Sequence, residues 1–361
     1  MTSQTLREAR KYEETVEKSI AREERPDFHL CSRVGWMNDP NGFSYHNGMY
    51  HMFYQYYPYE SKWGPMHWGH AVSRDLLHWE HLPAALAPDE PYDRDGCFSG
   101  SALTLPDGRQ LLMYTSVVKE RQENDTIRDI QTQSLAIGDG IDYEKYEKNP
   151  VLDAAELPVG GSKFDFRDPK IWRNADGTYS CIAGNCLADG DGRILLFTSK
   201  DGFQWKFRSI LVSNDHRFGK MWECPDFFML NGKWVLLTSP QDMLPKGFEY
   251  HNGNRTLCLI GTFDEQTGTF QEENNQSIDY GIDFYAPQTV LAPDGRRIMI
   301  GWMQNWDTCT IRSPDAPWMG QMSLPRELSV HGGRLYQTPV REIDAMRCNK
   351  VVHKQSSFTD T

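Results

Sequence analysis

The pattern of apolar and polar positions predicts a helix at the start of the chain. Over residues 3–22, apolar side chains recur at Leu6, Val16 and Ile20, among others, a spacing that places them on one face of a helix. Pro26 then closes the pattern, because proline cannot continue a helix. The first 27 residues are therefore predicted to form a helical segment.

The pattern changes after this segment. From His29 onward, short apolar runs rich in Tyr, Phe, Trp, Val and Thr alternate with NG and DG dipeptides. Strand-forming runs separated by these dipeptides are typical of β-hairpins. The remainder of the chain is predicted to be all-β.

Five segments of this remainder follow one plan. A small or polar cluster near a proline or glycine leads into an apolar strand, an NG or DG turn, and a second apolar strand. The segments are NDPNGFSYHNGMYHMFYQY from Asn38, FSGSALTLPDGRQLLMYTS from Phe98, FRDPKIWRNADGTYSCIAG from Phe166, WECPDFFMLNGKWVLLTSP from Trp222 and FYAPQTVLAPDGRRIMIGW from Phe284. Such a spacing indicates a structural unit repeated five times.

A second pattern lies between these hairpins. AVSRDLLHW at 71–79 and LFTSKDGFQW at 196–205 both place a Ser-basic-Asp sequence four residues before a tryptophan, which predicts an outer hairpin of the same unit. Five four-stranded units around an axis make a five-bladed β-propeller. The predicted organisation is a helical segment at 1–27, the all-β propeller at 28–340 and a short tail at 341–361.

The repeat predicts a functional site at one mouth of the propeller. If the opening strand of each blade is innermost, Asp39, Asp168 and Glu223 occupy corresponding positions and converge there. One such motif alone would be better explained as a turn. Three carboxylates in a partly desolvated pocket repel one another, so at least one pKa is expected to be raised.

Aromatic residues accompany these acidic motifs. Aromatic walls beside carboxylates suit a sugar, whose apolar ring faces stack while its hydroxyls form hydrogen bonds. The aromatic residues expected to form the walls are Trp36, Trp63, Trp68, Phe98, Trp222, Tyr285 and Trp302.

Composition and charge narrow the choice of partner. The 361 residues include 38 basic and 50 acidic side chains, a net charge of −12, which disfavours nucleic acid as a partner although a small anionic group could still be held locally. The start of the chain is charged where a signal peptide needs an apolar region, and no apolar run is long enough to cross a membrane. A cytoplasmic protein without a membrane partner is expected, and its oligomeric state stays open.

Cysteine and histidine spacings favour neither disulfides nor a metal. Eight scattered cysteines without a CxxC pair are expected to be reduced thiols. Two HxxH pairs, at 67–70 and 78–81, would share a face only on a helix, and this stretch is aromatic and interrupted by glycine. No metal site is predicted.

The ordered motifs resemble those of a known family. WMNDPNG at 36–42, FSGS, FRDP, WECPD, FYAPQ and IGWM, in this order, resemble the motif series of the family 32 glycoside hydrolases, the β-fructofuranosidases that include invertase, sucrose-6-phosphate hydrolase, levanase and inulinase. The resemblance runs from about Phe28 to at least Leu328. It implies a five-bladed propeller, in agreement with the repeat count.

The resemblance implies roles for individual residues. It makes Asp39 the nucleophile, Glu223 the general acid/base and Asp168 the transition-state stabiliser, with Arg167 expected to favour the ionised form of Asp168. No metal or organic cofactor is needed. The residues that the resemblance places around the sugar are Asn38, Gln55, Trp63, Phe98, Ser99, Arg167, Cys224, Tyr285 and, as a weaker candidate, Trp302.

The implied activity is hydrolysis of the β-fructofuranosidic bond of sucrose or sucrose 6-phosphate, with retention, through a fructosyl-enzyme intermediate. Two alternatives stay open: an inverting arabinan- or xylan-type propeller glycosidase, and an inactive carbohydrate-binding propeller. The chain lacks the C-terminal β-sandwich usual in the family, so it is expected to be either truncated or naturally short.

Overall fold

The computed structural model describes residues 2–311 and 316–352, and over these residues the chain folds as a five-bladed β-propeller, as predicted. Each blade is a sheet in which consecutive strands pair antiparallel. The first strands of the five blades contact one another in a closed ring around a central channel. Each of the five repeated segments forms the two inner strands of one blade.

The strands follow chain order, four to a blade, apart from one short strand added to the first sheet. The first blade contains β1 (Gly35–His46), β2 (Met49–Tyr57), β3 (His67–Ser73) and β4 (Trp79–Leu86). The second contains β5 (Gly96–Thr104), β6 (Gln110–Arg121), β7 (Ile127–Gly138) and β8 (Tyr143–Lys145). The third contains β9 (Phe166–Arg173), β10 (Tyr179–Cys186), β11 (Gly192–Ser199) and β12 (Trp205–Ser213). The fourth contains β13 (Trp222–Leu230), β14 (Lys233–Pro240), β15 (Leu257–Asp264) and β16 (Thr269–Ser277). The fifth contains β17 (Tyr285–Leu291), β18 (Arg297–Trp302), β20 (Arg326–His331) and β21 (Arg334–Pro339), and β19 (Trp318–Met319) joins the first sheet.

Strand β19 links the last blade to the first. It lies in the connection between the second and third strands of the fifth blade and pairs parallel with β1, Gly35 opposite Trp318 and Trp36 opposite Met319. This pairing closes the ring with backbone hydrogen bonds. It also fixes the start of β1, the strand that carries the WMNDPNG motif.

The outer hairpins explain the second sequence pattern. The two stretches identified from their Ser-basic-Asp sequences form the turns between the third and fourth strands of the first and third blades. In each turn the serine hydroxyl, Ser73 or Ser199, donates to the following aspartate, Asp75 or Asp201, and that aspartate accepts two backbone N–H groups. The motif is therefore a turn held by its own side chains.

The N-terminal helix packs on the first blade. Helix α1 spans Gln4–Glu17, so it is present but ends before the predicted Arg22, and a 3-10 helix follows at Arg22–Glu24. Buried Glu13 accepts the N–H of Ala84 at 2.9 Å and pairs with Arg33 at 3.1 Å, which anchors the helix to the propeller. Burial raises the pKa of Glu13 to about 7 against the opposing charge of Arg33.

The remaining features concern the thiols and the end of the chain. All eight cysteines lie within the described residues and are free thiols. The predicted tail at 341–361 begins with a 3-10 helix at Arg341–Met346, and its residues 353–361 lie outside the described part. In the described ranges no helix has the length and apolar character needed to span a membrane.

Candidate active site

A β-bulge near the start of each inner strand shapes the mouth of the channel. In the third, fourth and fifth blades, the residue after the last regular pair has a left-handed backbone: φ is 65° at Asp168, 46° at Cys224 and 50° at Ala286. Non-glycine residues adopt this conformation at a cost and are held there by their surroundings. A bulge also re-aims side chains, and proline follows each of these three residues.

The bulges correct one expectation from the repeat. Arg167, Glu223 and Tyr285 are the last paired residues before the bulges of their blades, so Glu223 corresponds to Arg167 and not to Asp168. These three side chains form a chain across neighbouring blades. Arg167 Nε donates to Glu223 Oε1 at 2.9 Å, and the Tyr285 hydroxyl donates to Glu223 Oε2 at 2.5 Å. Both oxygens of Glu223 are thereby held.

A second set of contacts joins the two aspartates. Asp39 Oδ2 accepts from the Ser99 hydroxyl at 2.7 Å and from the Cys224 thiol at 3.4 Å. The Cys224 thiol also lies 3.5 Å from Asp168 Oδ2, which accepts the Cys224 N–H at 2.9 Å. Asp39 Oδ1 has no hydrogen-bond partner. The Asp39 carboxylate is therefore anchored through Oδ2, whereas Oδ1 is enclosed by the surrounding residues.

Burial and mutual repulsion raise the pKa of both aspartates. The pKa of Asp39 rises to about 6, first because of burial and then because of the charge of Glu223, while the Ser99 hydrogen bond opposes the rise. The pKa of Asp168 is raised by burial and by Glu223. Arg167 lowers the pKa of Asp168, as expected, but burial and the charge of Glu223 raise it by more. The expectation that at least one pKa is raised is confirmed for both groups.

A hydroxyl from the preceding blade holds two of the three left-handed residues. Thr115 Oγ1 accepts the Asp168 N–H at 2.9 Å, and Ser239 Oγ accepts the Ala286 N–H at 3.0 Å. In the third blade the corresponding position is Gly184, where a Cβ atom would lie 2.3 Å from a backbone oxygen. Because no hydroxyl can stand there, the Cys224 N–H is available to the Asp168 carboxylate.

This arrangement predicts a stability cost for Thr115→Val. The substitution keeps the side-chain shape but leaves the buried Asp168 N–H without an acceptor, so the free energy of unfolding should fall by about 1–3 kcal/mol in urea titrations. Thr178→Val, which removes two side-chain hydrogen bonds in a surface turn, to Asp176 and from Asn174, is the matched control and should change the free energy of unfolding by less than about 0.5 kcal/mol. Equal stability of the two variants would contradict the role assigned to Thr115.

The carboxylates open onto a pocket of about 540 Å³, within the usual range for small-molecule sites. Nine of the twelve residues predicted for the site line it: Asn38, Asp39, Gln55, Trp63, Phe98, Ser99, Arg167, Asp168 and Glu223. Cys224 and Tyr285 are buried behind them and act on the carboxylates through the contacts above. Trp302 is fully buried and packs edge-on against Trp36, away from the pocket.

The expectation of aromatic walls is correct for two residues. Trp63 and Phe98 line the pocket, with ring centres 5.9 Å apart. The other five aromatic residues expected there, Trp36, Trp68, Trp222, Tyr285 and Trp302, are buried in the propeller. The sequence places these residues near the right motifs but does not show that their side chains point between the blades.

Several pocket residues escaped the sequence analysis: Ile127, Arg128, Asp129, Gln131, Phe164, Asp165, Gln241 and Trp306. Four of them lie on β7, in a long hairpin that rises above the channel mouth. Only the length of that hairpin could have indicated these residues, since β7 contains none of the quoted motifs. Gln131 and Asp165 contact Arg167 Nη1, each at 3.3 Å, and so help to hold Arg167 against Glu223.

None of the four histidines of the two HxxH pairs is among the described residues that line the pocket. His70 contacts His51 across strands at 3.0 Å, and His67 contacts the Pro65 carbonyl. Burial lowers the pKa of both His51 and His67 to about 4, which keeps them neutral. Across the described ranges, no group of three or more His, Cys, Asp or Glu side chains is arranged to hold a metal ion.

The fold and the site together define a class: a five-bladed propeller with buried, interacting carboxylates at one mouth of its channel. The chain belongs to glycosyl hydrolase family 32, because residues 29–339 match the N-terminal domain of that family. Among the known proteins to which it is similar is the raffinose invertase of Escherichia coli, 42% identical over 329 residues. That match takes in 89% of this chain and 66% of the invertase.

Solved structures show the same relationship. A mutant of the Bombyx mori GH32 beta-fructofuranosidase in complex with sucrose has a TM-score of 0.87 and 41% identity, covering 98% of this chain and 73% of that one. The sucrose-6-phosphate hydrolase from Lactobacillus gasseri has a TM-score of 0.80 and 32% identity, covering 97% and 69%. Of the first curated relatives, both from Escherichia coli, the chain spans 66% of the length, slightly less than two thirds.

Proposed function

We propose that the protein is a retaining β-fructofuranosidase that hydrolyses sucrose or sucrose 6-phosphate through a fructosyl-enzyme intermediate. The observation that carries the proposal is the placement of Asp39: its carboxylate belongs to a residue that lines the pocket, and Ser99 and Cys224 orient it through hydrogen bonds to Oδ2. An oriented carboxylate in a pocket that can hold a sugar is what nucleophilic attack on an anomeric carbon needs.

Each carboxylate has one task in this proposal. The Asp39 carboxylate forms a bond to the anomeric carbon of the fructosyl unit as the bond to the leaving oxygen breaks, and Glu223 gives that oxygen its proton. Glu223 then takes a proton from water, whose oxygen displaces Asp39 and releases fructose with retained configuration. Asp168, fixed by the Cys224 N–H, accepts hydrogen bonds from sugar hydroxyls.

The charge of the pocket favours a neutral substrate. Five carboxylates and two guanidinium groups are among the described residues that line it, so a dianionic phosphate would meet more negative than positive charge there. We expect a higher kcat/KM for sucrose than for sucrose 6-phosphate. The relatives named above include both an invertase and a sucrose-6-phosphate hydrolase, so their names do not decide between the two substrates.

A substrate panel tests the proposal. Sucrose, sucrose 6-phosphate, raffinose, inulin and levan are compared by kcat/KM, with Asp39→Ala as the blank. Sugar binding without hydrolysis above that blank would favour an inactive binding propeller. Reaction in methanol separates the stereochemical alternatives, since retention yields the methyl β-fructoside and an inverting enzyme does not.

The raised pKa of Asp39 predicts the acid side of the pH profile. The nucleophile must be ionised, so on the acid side kcat/KM should fall as the pH drops through about 6 and approach a tenfold loss per pH unit well below it. Ser99→Ala removes a hydrogen bond that lowers this pKa, so its acid limb should move to higher pH. A limb that stays in place in Ser99→Ala would show that another group controls it.

A further inference from the structure

The channel has a second mouth, with a cavity of its own. The later residues of the five inner strands line a space of about 520 Å³, whereas the first residues of those strands form the candidate active site. Aromatic rings of Phe43, Trp172 and Phe228 form part of its wall. None of the residues proposed above for catalysis lines it.

This second mouth is basic in an acidic protein. Lys170, Arg173 and Arg297 line the cavity with Asp226 as the one acidic side chain among its described lining residues, an excess of two positive charges. The whole chain carries a net charge of −12. Positive charge concentrated in one concave site against such a background attracts small anions.

The contacts show which positive side chain is least engaged. Lys170 Nζ bonds Asp226 Oδ2 and the Thr289 carbonyl, both at 3.0 Å; Asp226 Oδ2 also accepts the Thr289 N–H, and Asp226 Oδ1 has no hydrogen-bond partner. Arg297 reaches Thr289 Oγ1 at 3.4 Å, and its enclosed Nε has no partner. Its guanidinium carbon lies 4.6 Å from the centre of the Phe228 ring.

Burial makes this excess charge costly. Burial lowers the pKa of both Lys170 and Arg297, and the charge of Asp226 only partly offsets that effect. A buried cation that is only partly compensated is stabilised by an anion that enters beside it. Guanidinium groups in particular bind phosphate and carboxylate oxygens through paired N–H donors.

We propose that the second mouth of the channel is a binding site for a small phosphate-type oxyanion, held by Arg297 and Lys170. The ligand is inorganic phosphate or the phosphate group of a phosphorylated sugar, whose ring the aromatic wall of Phe43 and Trp172 would accommodate. The site is independent of the proposed hydrolysis, because its residues face the other end of the channel.

Thermal unfolding in inorganic phosphate, with chloride at equal ionic strength as reference, tests this site. Phosphate at about ten times its dissociation constant should raise the Tm of the protein by roughly 2 °C in a saturable way. Arg297→Met keeps the apolar stem on Phe228 and removes the charged donors, so the rise should be lost while sucrose hydrolysis is unchanged. Arg109→Met, at an exposed turn where Arg109 pairs with Asp107, is the matched control and should keep it.

The same titration with glucose 6-phosphate identifies the source of the ligand. Half-saturation at a lower concentration than inorganic phosphate indicates a phosphorylated sugar, and equal concentrations indicate the phosphate group alone. A rise of equal size in Arg297→Met, or no rise beyond chloride in the unmodified protein, would overturn the site.

A crystal soak gives a test that needs no variant. Selenate, an anomalous scatterer shaped like phosphate, should give a peak beside Arg297 and Lys170. A soaked crystal with no peak at this mouth contradicts the proposal even if Arg297→Met fails to fold.

Discussion

Asp39→Asn is expected to lower kcat/KM for sucrose by roughly 10⁴–10⁶-fold, the scale seen when an enzyme loses its nucleophile. An amide has nearly the shape of the carboxylate, so Ser99 and Cys224 can still contact it. The charge that attacks the anomeric carbon is lost. Most of the effect should therefore appear in kcat, with sugar binding largely kept.

Two measurements separate this loss from damage to the fold. Fructose binding and thermal unfolding of Asp39→Asn should stay close to those of the unmodified protein, because the raised pKa of Asp39 means that its charge is already costly in the pocket. Ser99→Ala is the matched control, since it touches the same oxygen but keeps the nucleophile, and its loss in kcat/KM should be far smaller. A residual activity in Asp39→Asn above about one hundredth would exclude Asp39 as nucleophile.

The fold could be predicted from the sequence because the same pattern of strand, turn and strand occurs five times along the chain. Five segments with the same order of strand, turn and strand are hard to fit to another architecture, and their turns carry the required NG and DG pairs. The end of the N-terminal helix was less predictable. Its apolar spacing continues to Ile20, whereas the helix ends at Glu17.

The residues of the site could be predicted where they lie in motifs at the starts of the inner strands. Asp39, Asp168 and Glu223 were assigned to one mouth correctly, but their expected correspondence was wrong. Glu223 is the last paired residue before the bulge of its blade, Asp168 comes one residue after that position and Asp39 two residues after it. A bulge inserts one residue into a strand and changes which side chain faces the channel, and its location depends on pairing with a neighbouring strand. Pairing register cannot be read from one strand alone.

Supporting residues were beyond prediction for a related reason. Thr115 and Ser239 act on the blade that follows their own, so nothing in their local sequence indicates the contact. The basic second mouth has the same origin, because Lys170, Asp226 and Arg297 come from three blades, and of the three only Asp226 belongs to a motif, WECPD. Contacts between side chains of different blades can be identified only from the three-dimensional arrangement of the blades.

The second large effect is expected for Glu223→Gln, whose loss of kcat/KM should depend on the leaving group of the substrate. With sucrose, whose departing oxygen needs a proton, kcat/KM should fall by roughly 10²–10⁴-fold. With fructosyl fluoride, whose fluoride leaves without that proton, the first step should be slowed far less. The amide can still accept from the Tyr285 hydroxyl, so the local structure should be kept.

The second half of the reaction gives the sharper result for Glu223→Gln. Water is not activated in this variant, so the fructosyl-enzyme should accumulate, and azide, which needs no general base, should displace Asp39 and give β-fructosyl azide with retained configuration. Asp39→Asn is the control, because without a covalent intermediate azide should yield no retained product. Equal losses with sucrose and fructosyl fluoride, together with no azide product from Glu223→Gln, would mean that Glu223 holds the substrate and does not transfer the proton. The chain Arg167–Glu223–Tyr285 would then be a binding element, and another group would have to supply the acid.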